Sequence, residues 1–130
     1  MKKVADMVAA ANAQVDHAPA ADLLDLHGAD GVTFVDLRDL RELERDGMIP
    51  GAFHCPRGML EFWIDPNSPY AKPQFQTGNR IVFYCASGWR SALSTLVAQD
   101  MGLPNVSHIN DGFSGWKKAG GPVGERPSKK

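Results

Sequence analysis

The stretch "IVFYCASGWRSALSTLVAQDMG", residues 81–102, places a cysteine where an apolar run meets a helix-like segment. A thiolate, not a thiol, is the nucleophile, and an unassisted cysteine is mostly protonated at neutral pH. Three neighbours of Cys85 bear on that balance. Gly88 lets the backbone curl so that successive N–H groups point inward as an anion-binding nest. Arg90 adds a permanent positive charge, and Ser91 adds a hydroxyl hydrogen bond. The next helix offers free N–H groups and a positive dipole end to an anion. A lone core cysteine more often serves as a small apolar residue. The coincidence of glycine, arginine and serine at a strand-to-helix junction favours chemistry.

The elements that position this loop are set by hydrophobic period. "RIVFY" is a continuous apolar run, as in a central parallel strand covered on both faces. "VTFVDLR" predicts a buried strand ending near Asp36, and "VSHI" another short strand. "SALSTLVAQDMG" predicts a helix stopped at Gly102. In "DLRELERDG", Asp39 followed by Glu42 is a capping-box pattern, with Gly47 as the stop. Val4, Met7, Val8, Ala11 and Val15 recur at helical spacing and predict a first helix. "APAADLLDLHG" reads as a short second helix, "MIPGAFHCP" as a turn and very short strand, and "RGMLEFWI" as helical. "DPNSPYAKPQFQTGN" is a proline-rich loop, and "FSGWKKAGG" predicts a last helix in which Phe113 and Trp116 pack into the core. Strands alternating with helices argue for an α/β layer fold on a mainly parallel sheet, whose sites lie at the carboxyl ends of strands. Cys85, Asp36 and Arg38 all sit at such ends.

At 130 residues the chain is long enough for one domain with a real core. A net charge of −1 gives no reason to expect nucleic acid as partner, and no run is apolar enough to span a membrane. The amino terminus lacks the apolar core of a signal peptide, so the expected compartment is the cytoplasm, with reduced thiols. Two cysteines are too few for a disulfide scaffold, and Cys55 shows no local cue for a low pKa. His17, His27, His54 and His108 have no paired spacing, so no metal site is expected and no histidine is assigned as a base.

Three motifs in order carry a resemblance to a known family. "CASGWRS" resembles the C-x-x-G-x-R active loop of single-domain rhodanese-like sulfurtransferases. "VDLRDLRELERDGMIPGAFHCP" resembles their amino-terminal signature and "INDGFSGWKKAGGPV" their carboxy-terminal one. The similarity runs from Pro19 to Val123. It implies a five-stranded parallel sheet with helices on both faces. The implied division is a helical extension over 1–18, a rhodanese-like domain over 19–124 and a disordered polar tail over 125–130. The resemblance further implies that Cys85 takes a sulfur atom from thiosulfate or another persulfide donor. Ala86, Ser87, Gly88, Trp89 and Arg90 would hold the resulting persulfide, and cyanide or a thiol, on a small molecule or a protein, would remove it. No cofactor is implied. Asp36 and Arg38 would support the loop through an ion pair, and Ser91 through its hydrogen bond.

The chain departs from the family pattern at three places. Met48 stands where a histidine is usual, and Asp111 replaces the first of two glycines, where it would cap the last helix. The segment with Phe62, Trp63 and Tyr70 is longer and more aromatic, either a wall near the loop or a satellite cluster. Cysteine phosphatases and arsenate reductases use C-x5-R, whereas this chain has C-x4-R, and a thioredoxin-like C-x-x-C is excluded by Gly88. The alternatives are a non-catalytic rhodanese-like binding module and, less favoured by the loop spacing, a cysteine enzyme acting on an oxyanion such as phosphate or arsenate.

Overall fold

A computed structural model describes residues 1–127. Five parallel strands form one sheet: β1 (Asp16–Ala18), β2 (Val32–Asp36), β3 (Phe53–His54), β4 (Arg80–Tyr84) and β5 (Val106–Ile109), in the order β1-β5-β4-β2-β3. The helices are α1 (Val4–Asn12), α2 (Leu40–Asp46), α3 (Leu60–Ile64), α4 (Trp89–Asp100) and α5 (Gly112–Lys118). The continuous apolar run of β4 has its physical cause here. Ile81 and Phe83 pack with Val35, Leu60, Ile64 and Ala98 on one face, while Val82 and Tyr84 pack with Phe34, Ile109, Phe113 and Trp116 on the other. Strand period 2 divides β4, and likewise Phe34 and Val35 of β2, between two cores.

The capping box at α2 forms: Asp39 Oδ1 accepts from the N–H groups of Arg41 and Glu42, and Asp39 N–H donates to Glu42. Met48 is buried and exchanges two backbone hydrogen bonds with Gly124, so its position is structural. That pairing holds the chain as far as Gly124 against the body. Of the predicted tail at 125–130, residues 128–130 lie outside the described residues.

Two local expectations differ from the structure. Residues 18–28 form not a helix but two 3₁₀ turns, Ala20–Asp22 and Leu24–Leu26. Only Ala20 and Leu23 of this segment are buried, too little apolar surface to reward a longer helix. The predicted extension over 1–18 also contains strand β1, which pairs with β5 at the sheet edge. Its three residues are mostly exposed and carry no strand pattern of their own. Helix α1 packs on α4 through Val8, Ala11 and Ala92.

Candidate active site

The chain leaves β4 at Tyr84 and curls through residues 85–88 before α4 begins at Trp89. The curl depends on Gly88, whose φ of 107° lies in the left-handed region. A Cβ there would also collide with the carbonyl of Asn110, so the loop and the β5–α5 turn approach more closely than any other residue permits. Gly112 plays the reciprocal part, since a Cβ on it would strike the backbone of Ala86 and Ser87. Phe113 N–H then donates to Cys85 O at 2.8 Å and Ser114 N–H to Ala86 O at 3.1 Å.

This packing aims amides at sulfur. Gly88 N–H lies 3.2 Å from Cys85 Sγ and Ser91 N–H 3.4 Å, and the Ser91 hydroxyl oxygen is 3.6 Å away. Cys85 is 1 % exposed, followed by half-buried Ala86, exposed Ser87 and exposed Trp89. The donors converge on Cys85 Sγ at the amino-terminal end of a twelve-residue helix, an arrangement that suits a thiolate or persulfide.

Arg90 is not aimed at the sulfur. Its guanidinium forms a two-pronged pair with Glu42 of α2, at 2.7 and 2.9 Å, which holds the Glu42 carboxyl below the usual carboxylate range. Asp36 and Arg38 form an ion pair with each other. The two are buried against each other, with Arg38 Nη2 2.7 Å from Asp36 Oδ2 and 2.8 Å from Gly47 O. Neither side chain hydrogen-bonds the segment 85–91. The Arg38 guanidinium lies 4.4 Å over the ring of Phe113, the residue whose N–H holds Cys85 O. Asp111 does not cap α5. Its carboxylate accepts instead from Ala20 N–H at 2.8 Å and folds over Gly115, which has no Cβ to obstruct it.

Sequence reasoning missed two residues that reach the site. His108 of β5 lies 2.8 Å from the Ser91 hydroxyl through Nδ1, and its Nε2 lies 2.7 Å from Asn12 Oδ1 at the end of α1. These partners are separated by 17 and 96 positions, which no local pattern signals. Of the aromatic segment, Trp63 packs on Phe53 against the core, whereas Phe62 and Tyr70 are exposed and contact each other. Cys55 is buried and free, with its thiol pushed up to about 12 by burial. Among the described residues no cluster of His, Cys, Asp or Glu has the makings of a metal site, and no helix is long and apolar enough to cross a membrane.

The family model of the rhodanese-like domain matches residues 19–119. A solved structure from Rhodopseudomonas palustris, of a protein of unknown function and possible tyrosine phosphatase, matches with a TM-score of 0.93 and 55% sequence identity. The match covers 95% of this chain and 96% of that one. The dual specificity phosphatase Cdc25 of Arabidopsis thaliana is 26% identical over 118 residues, covering 84% of this chain and 77% of the relative. The thiosulfate sulfurtransferase YnjE of Escherichia coli is 30% identical over 64 residues, 49% of this chain and 15% of that protein.

Proposed function

This chain belongs to the rhodanese-like domain family, and on that premise we propose that it is a sulfurtransferase that carries sulfane sulfur as a persulfide on Cys85. The observation that carries the reading is the pair of backbone N–H groups, from Gly88 and Ser91, aimed at Cys85 Sγ. Thiolate Sγ attacks the outer sulfur of thiosulfate or a persulfide donor. The S–S bond of the donor breaks with its electron pair leaving on sulfite or on the donor thiolate, and Cys85 becomes Cys–S–S⁻. An acceptor thiolate or cyanide then attacks the outer sulfur, and Cys85 leaves as thiolate. Covalent storage splits one transfer into two displacements and needs no bound cofactor. The loop amides stabilise the charge, as an oxyanion hole does in acyl transfer.

A phosphatase reading has support of its own in the names of the Rhodopseudomonas palustris and Arabidopsis thaliana proteins. Two features of this chain argue against it. The loop has four residues between Cys85 and Arg90, one fewer than the oxyanion cradle of cysteine phosphatases. The Arg90 fork, which would clamp a phosphoryl group, is already occupied by the Glu42 carboxylate.

Intact mass after mixing with thiosulfate separates the readings. The native chain gains one sulfur atom, which cyanide discharges as thiocyanate, and Cys85→Ser gains none. Hydrolysis of p-nitrophenyl phosphate dependent on Cys85, with no sulfur gained from thiosulfate or a small persulfide, would give the phosphatase reading the lead. Neither result, with a free thiol, would leave a binding module.

A further inference from the structure

Sulfur transfer through Cys85 and the loop amides leaves His108 without a role. His108 lies in β5, between the edge strand β1 and the central strand β4, and is fully buried, facing α4. Its Nε2 meets the amide oxygen of Asn12 at 2.7 Å, and because that oxygen only accepts, Nε2 carries the ring proton. Burial, with His17 of β1 adding to it at 5.6 Å between ring centroids, pushes the imidazole down to about 4. At neutral pH the ring is therefore uncharged, and Nδ1 presents a bare lone pair to Ser91.

Ser91 has one hydroxyl proton and three neighbours that would take it. His108 Nδ1 is nearest at 2.8 Å, Gly88 O lies at 3.3 Å and Cys85 Sγ at 3.6 Å. The proton goes to the imidazole, so the hydroxyl turns its lone pairs toward sulfur. In that orientation it accepts from the S–H of a thiol and gives nothing to a thiolate.

We propose that His108, held by Asn12, is a positioning residue that keeps the Ser91 hydroxyl turned away from Cys85 and thereby restrains ionisation of the nucleophile. The proposal rests on Cys85 being the reactive cysteine of the sulfurtransferase reading. The remaining titratable or charged groups around the pair are His17 on the β1 side and Arg90, itself paired with Glu42, on the α4 side. Asn12 lies in α1, outside residues 19–119 that the family model matches, so the restraint is attached to the domain from its amino-terminal segment.

The test is the rate of Cys85 alkylation by iodoacetamide against pH, read by peptide mass. It needs no sulfur donor, so a failure to gain sulfur from thiosulfate leaves it decisive. His108→Leu frees the hydroxyl to donate to the thiolate, and the midpoint moves about one pH unit to the acid side. Asn12→Leu, at a half-buried position that tolerates the change, shifts it in the same direction and decides the matter if His108→Leu does not fold. His108→Asn, whose amide oxygen stands in for Nδ1, keeps the native midpoint. Ser91→Ala combined with His108→Leu loses the acid shift. A folded His108→Leu or Asn12→Leu protein with an unmoved or alkaline-shifted midpoint overturns the proposal.

Discussion

Cys55 and Cys85 occupy matching places in the fold, each one residue past the carboxyl end of a parallel strand and each buried. The backbone downstream of the two cysteines differs. After Cys55 comes Pro56, which has no N–H and a fixed φ, then a 3₁₀ turn at Arg57–Met59. The chain cannot curl its amides around that sulfur, whose polar neighbour among the described residues is Pro56 O at 3.9 Å. Apolar packing against Leu37, Leu60 and Phe83 then raises the thiol to about 12. After Cys85 come Ala86 and Ser87, the left-handed Gly88 and a long helix, and the amides of Gly88 and Ser91 reach the sulfur. Position at a strand end is thus insufficient to gather amides on a sulfur; the succeeding backbone decides it.

The contrast between the two loops breaks most severely at their glycines. Gly88→Ala puts a Cβ at left-handed φ and against the Asn110 carbonyl, and should cost about 3 kcal/mol in denaturant unfolding. Cys85 alkylation at neutral pH should fall with it as the amides move. Gly58→Ala, in the turn after Cys55, meets nothing within 4 Å and should stay within about 0.5 kcal/mol of the parent. Equal costs would show that the Cys85 loop is not built on its glycine.

A milder test lies in alkaline pH. The Cys55 thiol is raised in the folded chain from 9.0 to about 12, so between those values the unfolded chain has lost a proton that the native one keeps. Its contribution to stability is complete below about pH 9 and is lost as pH rises toward 12. Urea midpoints should therefore fall more steeply above pH 9 for the native chain than for Cys55→Ala. Parallel slopes for the two proteins would mean that Cys55 is solvated in the native state.

Much of this was legible in local pattern, because local physics decides it. The two-sided burial of β4, the Asp39–Glu42 capping box and the glycine turn before α4 each lie within a few residues. The α/β reading follows from strands alternating with helices and the rhodanese-like resemblance from three motifs in order, and both agree with the five-stranded parallel sheet and the family match. Strand β1 escaped because its three residues become a strand only by pairing with β5. The roles of Glu42, His108 and Asn12 escaped for a related reason. Glu42 reads correctly as a capping residue, yet the same carboxylate reaches across 48 positions to Arg90.

That double duty of Glu42 permits the finest division between backbone and side-chain control of Cys85. Glu42→Gln preserves an oxygen for Asp39 N–H and for one Arg90 N–H, removes the negative charge, and sets an amide NH2 where the second Arg90 N–H had its acceptor. It copies the carboxyl protonated at low pH, where the pair is lost as pH falls through the lowered value of Glu42. The Arg90 side chain is 41% exposed, so screening keeps the stability cost below about 1 kcal/mol. With its charge no longer offset, Arg90 should favour the nearby thiolate and raise the Cys85 alkylation rate at neutral pH about twofold. Arg90→Ala should lower that rate by a similar factor. If both variants keep the native rate, the loop amides and the Ser91 hydroxyl govern the sulfur, and the guanidinium serves only to join α4 to α2.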